Sequence, residues 1–260
     1  MHAFKNFLLT TSFILIISVI RAQAPMSTPV QDIRYEYNQT SGTNASSVVW
    51  VPAQQMYVTA IAGNEDFPLE GFDTRGENIF SASTGVDMRG MWLNPSNNSV
   101  EINAAGEIGW YAFSITNEHK PTVTTLLFSG QNQPDFQSVG TYDVAKKRVI
   151  FLDINNGGIK MYKRSKPSKT STLKLSWGAV SPSNLNMYSI GYTGHSGYEY
   201  VVLDYVNRNL IFFNGKGALT ATVHLPASAP VNDTFAFSFT NDRAFLYDKD
   251  NRIWYGYKVF

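Results

Sequence analysis

Residues 139–163 read VGTYDVAKKRVIFLDINNGGIKMYK. Three β-forming runs stand out in this stretch: one ending at Tyr142, one over Arg148–Ile154, and one over Ile159–Lys163. Polar turns separate them, the second being Asn155-Asn156-Gly157-Gly158. Val, Ile, Phe and Tyr in short runs, punctuated by Asn and Gly, are the signature of strands joined by hairpins. A fourth run, Thr172–Ser176, follows closely. The spacing predicts a four-stranded unit whose first strand is Ser138–Tyr142. Beyond the first twenty or so residues no stretch carries the 3.6-residue apolar period of an amphipathic helix.

The same plan recurs. Units begin near Ser47-Val48-Val49-Trp50, Arg89-Gly90-Met91-Trp92, Val139-Gly140-Thr141-Tyr142, Ile190-Gly191-Tyr192 and Phe237-Ser238-Phe239. Their aromatic anchors Trp50, Trp92, Tyr142, Tyr192 and Phe239 are spaced by 42, 50, 50 and 47 residues. A period of about 40–50 residues with several short strands per unit is that of one propeller blade. The fourth unit pairs Tyr198–Tyr205 with Leu210–Phe213 around the turn Val206-Asn207-Arg208-Asn209, and the fifth pairs Arg243–Asp248 with Ile253–Phe260. That last unit stops after three strands, while an orphan strand, Ile33–Tyr37, precedes the first. Three plus one completes a blade and leaves no open edge in the ring. The expectation is an all-β chain of about five four-stranded blades over residues 31–260, closed by an N-terminal strand. A two-domain β-sandwich and a large jelly roll are the alternatives.

This plan resembles the β-propeller superfamily along the whole chain after the leader. The hairpins Tyr142-Asp143…Val149-Ile150-Phe151 and Tyr247-Asp248…Ile253-Trp254 are similar to those of YncE- and NHL-type extracellular propellers. No blade carries a Trp-Asp ending, a Kelch double glycine or the Ser-x-Asp-x-Gly-x-x-Trp box. The resemblance therefore implies a fold and assigns no ligand.

The N-terminus reads as an export signal over residues 1–22. Lys5 supplies the positive start, Phe7–Ile20 the apolar run, and Ala22-Gln23-Ala24 small residues for cleavage. The run is shorter than the ~20 residues that span a bilayer; an uncleaved anchor is the rival reading. No later segment is apolar enough to span a membrane. Removing Lys5 and Arg21 leaves 19 basic against 20 acidic residues, a net charge of −1. Such a balance offers no basic field for nucleic acid or for an anionic membrane. Without a single cysteine, the chain has neither disulfide staples nor thiol chemistry, and its own core must hold it together. Asn38, Asn44, Asn97 and Asn232 head Asn-x-Ser/Thr sequons, acceptors for N-glycosylation in a host that performs it. These features place the protein outside the cell, or in the periplasm of a bacterium.

Chemistry-bearing residues are scattered. His119, His195 and His224 lie in separate units without metal-ligand spacing, and no metal site is expected from them. His195 sits in the glycine-bounded turn Gly194-His195-Ser196-Gly197, which lacks the glycine placement of a nucleophile elbow. Calcium is the one ion with a case: Asp248-Lys249-Asp250-Asn251 and Asp153 with Asn155 and Asn156 gather hard oxygen donors. Turn formation explains the same residues.

In a propeller, the loops entering each first strand share a face with those joining second and third strands. That face is expected to collect Asp87, Arg89, Asp153, Asp204 and Asp248, with Glu65, Asp66, Glu107 and Asp250. Five-bladed sugar hydrolases, by fold-level analogy, place carboxylates there. Trp110-Tyr111 and Trp254-Tyr255 are candidates for aromatic faces that stack on a ligand, since adjacent strand residues point opposite ways. The basic run Lys160, Lys163, Arg164, Lys166, Lys169 and Lys174, following Lys146-Lys147-Arg148, suits either an acidic glycan or a solvated blade edge.

Three functions remain open on sequence. The first is a non-enzymatic binding or scaffold propeller that recognises a glycan or extracellular protein through one loop face. The second is a carbohydrate-active or metal-dependent hydrolase with carboxylates around the pore. The third is a structural matrix or envelope component.

Overall fold

The computed structural model describes residues 25, 28–37, 44–63, 66, 69–106 and 108–260. The leader, Asn38, Glu65 and Glu107 lie outside the described residues. The short β-branched and aromatic runs form twenty strands. After β1 (Val30–Glu36), blade one contains β2 (Asn44–Val51), β3 (Met56–Ala62), β4 (Leu69–Asp73) and β5 (Asn78–Ala82). Blade two contains β6 (Met88–Asn94), β7 (Ser99–Ala104), β8 (Trp110–Phe113) and β9 (Thr125–Phe128). Blade three contains β10 (Thr141–Asp143), β11 (Arg148–Asp153), β12 (Gly158–Lys163) and β13 (Thr170–Lys174). Blade four contains β14 (Gly191–Tyr192), β15 (Tyr200–Asp204), β16 (Asn209–Phe213) and β17 (Leu219–His224). Blade five contains β18 (Phe237–Thr240), β19 (Arg243–Asp248) and β20 (Ile253–Lys258), and β1 is its fourth strand.

The protein is a five-bladed β-propeller, closed as the three-plus-one count requires. β1 runs antiparallel to β20, with Tyr35 opposite Trp254 and Glu36 opposite Ile253. Several boundaries differ from the sequence expectation: β1 begins at Val30 rather than Ile33, and β10 covers Thr141–Asp143 rather than Ser138–Tyr142. β13 occupies Thr170–Lys174, earlier than Thr172–Ser176, because Ser176 leaves its own blade and bridges Ala218 of the next.

Each seam between neighbouring blades has its own apolar core. Val58, Met88 and Ile102 fill the first, and Trp92, Trp110 and Phe151 the second. Ile150, Tyr200 and Phe213 fill the third; Leu203, Phe212 and Leu246 the fourth. The closing seam contains Tyr35, Tyr57, Phe72 and Trp254, with Tyr35 stacked 5.0 Å from the Phe72 ring. Burying a large side chain contributes about 1.5–3 kcal/mol, so Tyr35 anchors the closing strand by packing as well as by its ladder. No helix among the described residues is long and apolar enough to cross a membrane.

The first strands β2, β6, β10, β14 and β18 surround the axis. Between blades, side-chain to backbone bonds connect them. Ser47 Oγ donates to the Arg89 carbonyl at 2.9 Å. The Val48 and Trp50 N–H groups donate to Ser238 Oγ and Thr240 Oγ1 at 2.9 and 3.1 Å. Asn103 Oδ1 accepts from the N–H of both Gly90 and Gly140, at 2.9 and 3.1 Å. The two backbones approach so closely here that a Cβ on Gly90 would stand 2.1 Å from Gly140 N. Only glycine fits.

Two loop faces result. One, the hairpin face, carries the turns between first and second strands. The other, the crossover face, carries the second-to-third turns and the blade-to-blade connections.

Candidate functional site

The five aromatic anchors that mark the repeat meet in space. Trp50, Trp92, Tyr142, Tyr192 and Phe239 all line one depression of about 320 Å³ on the axis, open to the hairpin face. A volume near 300 Å³ is at the small end for ligand sites. The convergence follows from the fold, because the five first strands that carry the anchors surround one axis. Trp50 and Tyr192 remain partly exposed, while Trp92, Tyr142 and Phe239 are buried beneath them.

Polar groups complete the wall: Thr141, Thr193, Thr240, Asn241 and Asp242. Asn241 and Asp242 form the two-residue connection between β18 and β19, with φ of 48° and 61°. A two-residue hairpin loop with both φ positive favours Asn, Asp and Gly, which is why this dipeptide turns here. Asn241 Nδ2 donates to Tyr57 OH at 2.6 Å, fixing the amide. Asp242 Oδ1 lies 2.8 Å from His195 Nε2, and the His195 ring stacks on Phe260 with centroids 3.9 Å apart. The carboxylate is thus steered by a packed imidazole yet stays 41% exposed. Burial pushes the Tyr142 and Tyr192 phenols up from their ordinary value, so both remain neutral at physiological pH. The funnel therefore offers aromatic surface, a fixed carboxylate and amide, and neutral hydroxyls.

The opposite end of the axis opens on the crossover face as a cavity of about 390 Å³ beside Arg89, Gln137, Tyr188 and Phe235. Asp87 and Arg89 meet here, as the topology predicts. Their groups are engaged with each other and with the walls. The Asp87 carboxylate receives Arg89 Nη1 and, at 3.0 Å, Nη2. Arg89 Nε donates to Gln137 Oε1 at 2.7 Å, and the guanidinium lies 5.2 Å from the Phe235 ring centroid. Asp87 Oδ1 also accepts from Gly63 N–H at 2.7 Å.

Of the other acids expected on that face, Asp153, Asp204 and Asp248 each serve a turn of their own. Asp153 accepts from Asn156 N–H at 3.2 Å, and Asp204 from Asn207 N–H at 2.9 Å. Asp248 accepts from the N–H groups of Asp250 and Asn251, both at 3.0 Å. These donors outweigh partial burial and hold the Asp248 carboxyl below its ordinary value. Among the described residues, no group of three or more His, Asp or Glu side chains is placed to hold a metal ion.

Trp110 and Trp254 require a correction. Both are wholly buried, so neither presents a face to a ligand. Trp110 is wrapped by Trp92, Phe128, Phe151 and Tyr162. Trp254 donates its indole N–H to Tyr37 OH at 2.8 Å. The alternation argument was sound about opposite faces, but on a middle strand of a blade both faces are packed by neighbouring blades. His195 is the partner of Asp242, which lines the axial depression.

Of the sequons, Asn97 lies exposed in the β6–β7 turn and Asn44 opens β2. Asn232 Nδ2, the atom a glycan would occupy, donates to the Tyr247 carbonyl at 2.9 Å. Sequence reasoning used the five anchors as fold markers only. Their regular spacing was the available signal that they share the axis.

No protein-family model matches the chain, and no curated protein matches it either. Solved structures do. A streptogramin B lyase aligns with a TM-score of 0.51 at 8% identity, covering 88% of this chain and 88% of that one. A nidogen/laminin complex gives 0.47 at 12% identity, over 77% of this chain and 69% of that one. A gluconolactonase from Xanthomonas campestris gives 0.42 at 10% identity, over 92% and 89%. At these identities the likeness is one of fold.

Proposed function

We propose that the protein is a secreted, non-enzymatic binding propeller that takes a glycan in the axial funnel of its hairpin face. The convergence of the five repeat anchors on one depression carries this reading. Sugar rings present apolar C–H faces flanked by hydroxyls. A lining of aromatic rings with Asn241, Asp242 and Thr side chains matches both features. Asp153, Asp204 and Asp248 of the crossover face are occupied in turns and Asp87 in the Arg89 pair, which favours binding over hydrolysis. Secretion rests on the leader-like N-terminus.

The test is a glycan-array screen of the purified protein, run with calcium and again with chelator, followed by titration of the best hit into Trp50→Ala and Tyr192→Ala. The expected result is saturable binding that either variant weakens and that chelation leaves unchanged. Binding that both variants retain at full affinity would remove the funnel from consideration. Silence across the array would turn the search to an extracellular protein partner.

A further inference from the structure

We propose that a cationic cleft beside the funnel selects glycans bearing acidic groups, either sulfate esters or uronate carboxylates; this rests on the glycan-binding reading above. The cleft, about 310 Å³, lies at the seam of blades two and three on the hairpin face. Lys147, Lys163 and Arg164 line it, together with Asn94 and the serines Ser96 and Ser165. No acidic side chain does.

The three cations are not equivalent. Arg164 donates through Nε to both carboxylate oxygens of Glu101, at 2.9 and 2.7 Å, and through Nη2 to Oε1. Glu101 is fully buried and also accepts from Trp92 Nε1 at 3.0 Å and Asn94 Nδ2 at 2.9 Å. One guanidinium is therefore neutralised and held rigid, with its Nη1 donors outside those contacts. Lys147 and Lys163 form no ion pair among the described residues. The cleft thus carries two uncompensated ammonium groups beside the fixed Arg164 guanidinium and the Ser165 hydroxyl, the Ser96 proton being given to Asn94 Oδ1 at 2.6 Å. An oxyanion with several acceptor oxygens fits that set, and charge-assisted bonds are the stronger kind.

Position links cleft to funnel. Tyr142 and Val144 line both depressions. A sugar seated beside Tyr142 and Val144 would place a neighbouring residue's acidic substituent in the cleft that holds the lysines. A solubilising role would scatter lysines along an outer edge, as with Lys174 in β13. Lys147, in the β10–β11 turn, and Lys163, at the end of β12, instead line one shared concavity.

Three oligosaccharides of equal length serve as probes: a neutral one, a sulfated one and one containing uronates. Each is titrated by calorimetry into wild type, Lys147→Gln/Lys163→Gln and Trp50→Ala. The wild type is expected to bind at least one acidic probe about tenfold more tightly than the neutral one. The tighter of the two acidic arms identifies the group. That gap should close in about 0.5 M salt, where screening is strong. The double variant, with an unchanged melting curve, should bind all three at the neutral affinity. Equal wild-type affinity for neutral and acidic probes, or a gap that survives in the double variant, overturns the cleft and leaves the funnel standing. Acidic binding that the double variant loses but Trp50→Ala keeps overturns the funnel and leaves an anion site. No binding of any probe overturns both.

Discussion

The two ends of the propeller axis hold residues of similar chemical promise and treat them in opposite ways. At the crossover end, Asp87, Arg89 and Gln137 satisfy one another, and Arg89 is only 5% exposed. At the hairpin end, Trp50, Tyr192 and Asp242 are held in place by neighbours but keep surface toward the depression. Charged residues at a pore mouth are thus no guide to function until their partners are counted. A guanidinium engaged at all three nitrogens leaves little for a ligand; a steered but exposed carboxylate beside aromatic rings keeps acceptors free.

The sharpest way to break this contrast is at Arg89. Arg89→Ala would leave the Asp87 carboxylate without its ion partner and open a gap beside Phe235. A loss of about 3 kcal/mol in chemical denaturation is expected, with glycan affinity at the funnel unchanged. A stable Arg89→Ala protein that no longer binds would reverse the roles assigned to the two ends.

Trp50→Ala is the converse. Removing one aromatic wall is expected to lower glycan affinity about tenfold, equivalent to ~1.4 kcal/mol, while shifting the denaturation midpoint less than Arg89→Ala does. If the order of the two midpoint shifts is inverted, Trp50 is chiefly a core residue.

Asp204 refines the comparison among the acids. Asp204→Ala deprives the Asn207 turn of its buried acceptor, and a cost of about 1 kcal/mol is expected, with no change in binding in calcium or chelator. A calcium-dependent melting temperature in wild type that Asp204→Ala abolishes would make it a ligand.

The smallest effect concerns Asp248. Its carboxyl is held below the ordinary value of 3.8 in the folded state. The charged form is therefore worth stability above that value, and the contribution fades as pH falls below about 4. Asp248→Asn keeps a turn acceptor but cannot titrate, so its acid unfolding profile should be flatter than wild type below pH 4. Parallel profiles would show that the Asp250 and Asn251 donors do not favour the charge.

Much of this architecture was legible in sequence for a definable reason. A propeller repeats its local instructions, so the strand runs of residues 139–163 taught the reading of the other units, and the unmatched Ile33–Tyr37 strand announced the closure. Turn residues were equally plain, since Asn and Asp act on their own backbone. What proved hard was exposure. Trp110 and Trp50 are both strand tryptophans, yet one ends in a seam and the other at the axial mouth, because blade position, not local pattern, sets which faces are covered.

The sequence by itself determined the strands, the turns, the period and the three-plus-one closure, all of which depend on residues near one another in the chain or on their repetition. Only the tertiary structure decided that anchors 42 to 50 residues apart would line one funnel, and that Glu101 would neutralise Arg164 across a seam while Lys147 and Lys163 formed no ion pair among the described residues. Those outcomes depend on partners brought together by ring closure, and the energy of a charge or ring is set by what surrounds it in space.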